Sequence, residues 1–144
     1  MTAVVSHENE LLLNTVQCFL NDEIYPHEDA VDRSGEVPLE LGRQIEARAK
    51  QVGLFAANLP EDVGGGGLNY TSSAIVEREY GKTTHALQSW IARPTELLLA
   101  CEGDQIARYL DPCVTGEKRE LFALTEPEAG SDVMGMKTNA KRDG

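Results

Sequence analysis

The chain has 144 residues, enough for one compact domain with its own core. Hydrophobic residues make up 41% and charged residues 26%, the balance of an ordinary globular protein rather than of a disordered or fibrous one. With 13 basic against 24 acidic residues the net charge is −11, and no basic run is present to release counterions, so nucleic acid is excluded as a partner.

Two helices are predicted near the start of the chain. Ser6 is a candidate N-cap, and the apolar residues that follow recur at helical spacing: Leu12, Val16, Phe19 and Leu20. This helix, over residues 6–24, should stop before Pro26, because proline disfavours the helical conformation of the residue before it. A second helix is predicted from about Pro38 to a C-cap at Gly53.

The segment NLPEDVGGGGLNY has too much backbone freedom for a regular element and is predicted to be a loop. Its run Gly64–Gly67 is compatible with phosphate binding, but no Gly-Lys-Ser/Thr follows and no strand clearly precedes it. A mobile surface loop is the favoured interpretation.

Further helices are predicted beyond this loop. One runs from Thr71 or Ser72 to Tyr80, closed by Gly81. A longer one covers 84–101 and should be kinked or split by Pro94. A short helix over 104–110 should end at Asp111 and Pro112. The first 115 residues or so are therefore expected to be helix and loop.

A β region is predicted to begin at Leu121. The run LFAL is suited to a buried strand, and Met136, Thr138 and Ala140 alternate with polar residues as in a half-exposed strand. Because two strands do not make an independently stable sheet, the chain is expected to be truncated at Gly144.

Isolated histidines and cysteines give no sign of a metal or redox site. His7, His27 and His85 stand at spacings that do not converge on a metal ion, so we expect no metal. The cysteines are odd in number, far apart and without a CxxC pair, which favours free thiols: Cys18, Cys101 and Cys113. The start, MTAVVSHENELLL, lacks the basic segment of a signal peptide, and no apolar run approaches a membrane span. We expect a cytoplasmic protein.

The segment TEPEAGSD, residues 125–132, is the most informative one. Gly130 removes a side chain where a phosphate or pyrophosphate could approach the backbone, and Ser131 adds a hydroxyl donor. Thr125 could hydrogen-bond a ring heteroatom. A plain strand-to-strand turn explains this composition, but not the full ordered pattern described next.

With its flanks, FALTEPEAGSDVMGMKT resembles the signature of the acyl-CoA dehydrogenase family, which Ala123 to Asp132 match at every position. GLFAANLPEDVGGGG and RYLDPCVTGEKRELFALTEP resemble the family more weakly. The resemblance implies a mainly α fold: an N-terminal helical-bundle domain over 1–118, then the truncated start of a central β domain over 119–144. It also implies FAD wedged between these and a C-terminal four-helix domain that this chain lacks.

The resemblance assigns cofactor contacts to five residues. Phe122 and Leu124 would present backbone groups to the isoalloxazine edge, and Thr125 a hydroxyl near the reactive nitrogen of the flavin. Gly130 and Ser131 would border the pyrophosphate, and Ser131 would also reach the CoA portion of the substrate.

Two positions depart from the common form of the family. Many relatives have tyrosine where this chain has Phe122, which matters little for a backbone contact. Glu128 stands where glycine is frequent and would add negative charge near a pyrophosphate, which we treat as a hypothesis about specificity.

The implied activity is α,β-dehydrogenation of an acyl-CoA, with electrons passed through FAD to an electron-transfer flavoprotein, in a homotetramer when full length. The glutamate base would lie outside residues 1–144, so the fragment alone should be inactive. Acyl-CoA oxidases, nitroalkane oxidases and some flavin monooxygenases share the architecture and stay open as alternatives. A non-catalytic helical module that binds a partner is the alternative from a different class.

One apolar stretch admits two interpretations. Trp90 and Ile91 with 97–99 either line an acyl pocket or pack in the core, and core packing is favoured. Arg93 faces either a carboxylate-bearing acyl group or solvent, and solvent is favoured.

Overall fold

The structure, a computed structural model, describes residues 6–142, and in that range it is mainly helical, which confirms the predicted fold class. Its α-helices are α1 His7–Phe19, α2 Tyr25–Ser34, α3 Leu39–Gln51, α4 Tyr70–Tyr80, α5 His85–Gln88 and α6 Asp111–Thr115. Two π-helical turns lie at Leu20–Ile24 and Ile106–Leu110. Short 3₁₀ turns lie at Glu61–Val63, Glu96–Ala100 and Val133–Gly135.

One hydrophobic core joins the helices. α1 packs against α4, α2 against α5, and α3 against the first π-helical turn. Each of the six helices buries at least one apolar side chain in it, including Val16, Val31, Ile45, Val76, Leu87 and Val114. Since each such side chain contributes roughly 1.5–3 kcal/mol when buried, this core is the main source of stability.

Helix boundaries in the first half follow the sequence signals closely. Ser6 caps α1 by accepting a hydrogen bond from the amide of Asn9 at 3.2 Å, as predicted. α3 ends just before Gly53, which has a positive φ of 74°. α4 begins slightly earlier than predicted, because Asn69 is its N-cap and accepts from the amide of Ser72 at 3.0 Å.

The prediction that the first helix stops before Pro26 is wrong. α1 passes through the π-helical turn directly into α2, where Pro26 lies in the first turn. Within this continuous rod the proline costs one hydrogen bond to a carbonyl of the preceding turn, and the wider π turn before it relieves crowding between the proline ring and those carbonyls. The chain leaves this rod only at Gly35, which has a φ of 72°.

The same arrangement corrects the prediction of a helix end at Asp111 and Pro112. The π-helical turn Ile106–Leu110 leads into α6, with Pro112 again in the first turn. In a regular helix the carbonyl of Arg108 would accept from the amide of residue 112, which proline lacks. Lys118 Nζ donates to that carbonyl instead, at 3.1 Å.

The helix predicted over 84–101 is split around Pro94, as expected, but much less of it is helical than predicted. Only α5 and the short 3₁₀ turn Glu96–Ala100 form within it. The carbonyls between them serve other partners: Ala92 O accepts from the amide of Ala56 at 2.9 Å, and Pro94 O accepts from Asn58 Nδ2 at 2.8 Å. Pro94 thus splits the segment, and the loop before α4 supplies its hydrogen bonds.

The glycine run is held by backbone hydrogen bonds, which the interpretation as a mobile loop missed. Amides of the run donate to carbonyls of residues 56–61, among them Gly65 to Pro60 at 2.9 Å and Gly67 to Leu59 at 2.8 Å. A Cβ on Gly65 would lie 2.2 Å from the carbonyl oxygen of Leu59. Glycine is therefore needed here for a close approach of two backbone segments.

The two strands predicted over 121–124 and 136–141 do not form within the described residues. Among residues 6–142 the β pairing is limited to one isolated antiparallel bridge between Glu126 and Ala129, which lie in the turn between the two predicted strands. A strand needs a neighbour for its ladder of hydrogen bonds, and within residues 6–142 nothing offers these segments one.

Candidate functional site

The segment TEPEAGSD forms a tight turn. The amide of Glu126 donates to Ala129 O at 3.0 Å, and the amide of Ala129 donates to Glu126 O at 3.2 Å. Pro127 and Glu128 occupy the corner between them, where the fixed φ of proline is favourable. Ala129 is buried, whereas the other residues of the corner project outward.

The carboxylate of Glu126 fixes the chain that follows the turn. It accepts from the amides of Lys137 and Thr138 at 2.9 Å and 2.8 Å, and these hydrogen bonds, that of Lys137 foremost, lower the pKa of Glu126 below its ordinary value. Residues 133–138 are thereby folded back over the turn. The site owes its shape to this contact, which joins residues 11 and 12 positions apart and therefore leaves no local sequence pattern.

Glu128 makes an ion pair with Lys137 Nζ. The negative charge that the sequence places near a pyrophosphate is therefore compensated from within the same loop. Both side chains are exposed, so the pair is weak, but Lys137 offsets the charge of Glu128 itself.

The five predicted cofactor residues lie on one stretch of chain at the surface. Phe122 is 74% exposed, and Thr125, Gly130 and Ser131 are exposed, while Leu124 is half-buried. Because Glu126 pairs with Ala129, Thr125 and Gly130 lie at the same open end of the turn.

This stretch fits a bound dinucleotide cofactor. The hydroxyls of Thr125 and Ser131 make no hydrogen bond to any of residues 6–142, and the space around Gly130 is open, since a Cβ there would meet no atom within 4 Å. Exposed donors beside open backbone are the groups that recognise phosphate oxygens and ring heteroatoms.

A cleft of about 350 Å³ lies beside the start of this stretch. Its lining includes Ile91, Pro94, Arg119 and Leu121. Arg119 is held over the ring of Trp90 at 3.9 Å and pairs with Glu46 at 2.8 Å. A second cleft, of about 340 Å³, adjoins it and shares four lining residues: Cys113, Lys118, Arg119 and Glu120.

Two contacts at these clefts escaped the sequence analysis. Glu120 accepts a hydrogen bond from the amide of Thr95, which ties the segment before the turn to the split helix. Burial, reinforced by the nearby Glu120 carboxylate, raises the pKa of the Cys113 thiol, so this cysteine is not activated as a nucleophile. The hydrogen bond between Thr95 and Glu120 joins residues 25 positions apart, and the burial of Cys113 depends on the tertiary fold, so local spacing indicates neither.

Arg93 does not face solvent as favoured from sequence. Its guanidinium pairs with Glu77 on α4 and lies 5.1 Å from the centre of the Tyr80 ring. Core packing is confirmed for Ile91 and, in part, for Trp90 and 98. It is wrong for positions 97 and 99, whose leucines are exposed, the first of them at the second cleft.

Residues 6–142 bring no three histidine, cysteine or acidic side chains together in a group that would suit a metal ion. Their cysteines are free thiols, Cys18 at the surface and Cys113 buried. Nor does that range include a helix with the length and apolar character to cross a membrane.

Comparison with known proteins gives the family. The profile described as acyl-CoA dehydrogenase, N-terminal domain, matches residues 6–117. The CarC subunit of the caffeyl-CoA reductase-Etf complex of Acetobacterium woodii is 34% identical over 141 residues, 94% of this chain and 36% of that protein. The mitochondrial long-chain specific acyl-CoA dehydrogenase of Sus scrofa is 34% identical over 146 residues, 98% of this chain and 33% of that protein.

Two solved structures of acyl-CoA dehydrogenases have a similar fold. An acyl-CoA dehydrogenase from Geobacillus kaustophilus superposes with a TM-score of 0.77 at 26% identity, over 100% of this chain and 38% of that one. One from Bacillus anthracis, complexed with FAD, superposes with a TM-score of 0.75 at 27% identity, over 95% and 24%. The chain belongs to the acyl-CoA dehydrogenase family, and its residues 6–117 match the N-terminal domain of that family. It spans about a third of the length of the curated relatives named here.

Proposed function

We propose that this chain is the N-terminal part of an FAD-dependent acyl-CoA dehydrogenase, an oxidoreductase that introduces an α,β-double bond into an acyl-CoA thioester. Family membership supports the reaction class, and the relative complexed with FAD supports the cofactor. The observation that carries the proposal is the exposed turn over 125–131. Its two hydroxyls make no hydrogen bond to residues 6–142, and its backbone is open at Gly130.

Each residue of the stretch has a proposed role. The backbone groups of Phe122 and Leu124 hold the isoalloxazine edge, and the Thr125 hydroxyl donates near the reactive flavin nitrogen. Gly130 and Ser131 border the pyrophosphate, and the Ser131 hydroxyl also reaches the CoA portion of the substrate. Bound FAD would supply the hydride acceptor, which no side chain provides. In this proposal the residues of this chain bind and orient FAD and the CoA portion of the substrate.

Domain organisation follows the same proposal. Residues 1–118 form the helical domain and 119–144 the start of the β domain, and the family match through residue 117 supports a boundary there. The glutamate base lies outside this chain, so residues 1–144 alone are inactive. The uncovered side chains of Leu121 and Phe122 support a missing neighbour at this end.

Partners and location are inferred from relatives and composition. An electron-transfer flavoprotein is the proposed electron acceptor, supported by the Etf complex in the name of the Acetobacterium relative. The full-length protein is proposed to be a homotetramer. Free thiols in the described residues fit the reducing cytoplasm.

The test is FAD binding by the full-length protein that carries this chain. Thr125→Val, Gly130→Ala and Ser131→Ala each alter the turn without touching the core, and each should weaken FAD affinity roughly 5- to 30-fold, the loss expected from one hydrogen bond or one close approach. The matched control is Thr71→Val, which removes an exposed hydroxyl on α4. Titration of apoprotein followed by flavin fluorescence measures the affinity without requiring turnover.

Two results would overturn the proposal. A folded full-length protein that binds no FAD would favour the non-catalytic helical module. If the turn variants bind FAD as tightly as Thr71→Val does, the assigned residues do not contact FAD. If FAD binds but is not bleached anaerobically by any acyl-CoA, a related flavin monooxygenase is favoured, and fast reoxidation by oxygen after bleaching indicates an oxidase.

A further inference from the structure

Two residues that line the same small cavity each have a buried polar atom without a partner. The hydroxyl of Tyr80 and Oδ1 of Asn58 make no hydrogen bond to any of residues 6–142, and Tyr80 is only 1% exposed. Both residues line a narrow cavity of about 20 Å³ between α4 and the loop that precedes it. Buried polar groups in folded proteins almost always have a partner, so this pair demands one.

The Asn58 side chain is fixed with its acceptor oxygen unpaired, and the Tyr80 hydroxyl stays a donor. Asn58 Nδ2 donates to Pro94 O at 2.8 Å, which fixes the amide so that Oδ1, an acceptor only, is left over. Burial, opposed by the Arg93 charge, raises the pKa of Tyr80 well above its ordinary value. The phenol therefore keeps its proton and is available as a donor.

We infer that one water molecule binds in this cavity, accepting a hydrogen bond from the Tyr80 hydroxyl and donating one to Asn58 Oδ1. The cavity exceeds the roughly 10–15 Å³ that a single water needs. Ser73, Glu77 and Arg93 also line it, so polar groups are present for the further bonds of a buried water.

The bound water has a structural task. It connects α4 to Asn58, and through the Asn58 amide to the carbonyl of Pro94. The next residue, Thr95, is bonded to Glu120, just ahead of the candidate flavin turn. The water is thus one member of a chain of contacts that runs from the helical core to that turn, and it does not depend on the proposed function.

Crystals of the protein diffracting well enough to show ordered solvent test the inference. A density peak is expected roughly 2.7–3.0 Å from both Tyr80 Oη and Asn58 Oδ1. Tyr80→Phe keeps the ring and removes one anchor, so the peak should vanish and the melting temperature should fall by roughly 3–6 °C. The control Tyr70→Phe, which removes an exposed hydroxyl at the start of α4, should change neither.

A cavity without density in the unaltered protein overturns the inference, as does a Tyr80 hydroxyl bonded directly to a protein group. A peak that keeps its position and occupancy in Tyr80→Phe would show that the hydroxyl is not its anchor. If Tyr80→Phe does not fold, the density in the unaltered protein still decides.

Discussion

The helical body, residues 7–115, and the C-terminal segment, residues 119–142, are stabilised in different ways. The body buries apolar side chains from six helices in one core. The segment buries one alanine and is shaped by polar contacts among its own residues, chiefly those of Glu126 with Lys137 and Thr138. It also leaves Leu121 97% exposed.

This contrast assigns most of the folding stability to the helical body and the proposed binding groups to the C-terminal segment. A core of this kind stabilises the body whether or not a ligand is present, because the free energy comes from apolar area removed from water. The segment makes little such contribution, and the groups proposed to bind FAD lie in it. We therefore expect changes in the body to alter stability, and changes in the segment to alter binding.

The largest expected effect comes from the core. Ile45 is fully buried, so Ile45→Ala should lower the free energy of unfolding by about 2–5 kcal/mol through lost burial and a residual cavity. Leu121→Ala should change it by no more than about 0.5 kcal/mol. Urea unfolding followed by circular dichroism measures both. Equal losses would mean that the segment shares the core.

The next effect concerns two glycines, one in each region. Gly65→Ala places a methyl group against the backbone of Leu59 and should cost roughly 1–3 kcal/mol. Gly130→Ala meets open space and should leave stability within about 0.5 kcal/mol of the original. Thermal unfolding distinguishes them, and a destabilised Gly130→Ala would show that the turn is packed more tightly than described.

The smallest effect is on acid sensitivity. The hydrogen bond from Lys82 lowers the pKa of the buried Glu79 carboxyl, helped by Gln17. The stabilisation is therefore fully present above the ordinary glutamate pKa and is lost as pH falls through the lowered one. Because Lys82 is half exposed, Glu79→Gln should cost only about 1 kcal/mol at neutral pH. The difference from the original protein should shrink in acid.

Glu126 provides the matched comparison, since its pKa is also lowered but its partners lie in the segment. Glu126→Gln should leave the global unfolding transition unchanged at every pH. It should speed amide exchange at one of Lys137 and Thr138, because the glutamine amide keeps only one of the two acceptor oxygens. A pH-dependent shift of the global transition would contradict the separation of the two regions.

Local signals predicted much of the body. The cap at Ser6, the end of the third helix at Gly53 and the loop at the glycine run were recognisable, because each depends on one residue and its near neighbours. The two proline predictions were wrong because a π-helical turn ahead of each proline reduces the crowding between the proline ring and the preceding backbone. The residue types in these turns do not predict π-helical geometry.

Long-range contacts account for the other misses. The split at Pro94 was expected, but residues 89–95 are non-helical because the carbonyls of Ala92 and Pro94 accept hydrogen bonds from the loop before α4. Arg93 packs against α4 because its guanidinium pairs with Glu77 and lies over the Tyr80 ring. The ordered motif located the candidate turn at 125–132, but its shape depends on Glu126 reaching a segment about ten residues further on.

The π-helical turn Leu20–Ile24 also sets the rotational phase of α2. Such a turn holds one residue more than the α-helical turn it replaces. If the same residues adopted plain α-helix instead, everything beyond this stretch would be rotated by about 100° around the axis, and Val31 would leave the core. Deleting one residue from the stretch would let it relax to plain α-helix and leave α2 in its present phase. The π-helical geometry of this stretch therefore decides which side of α2 the bundle covers.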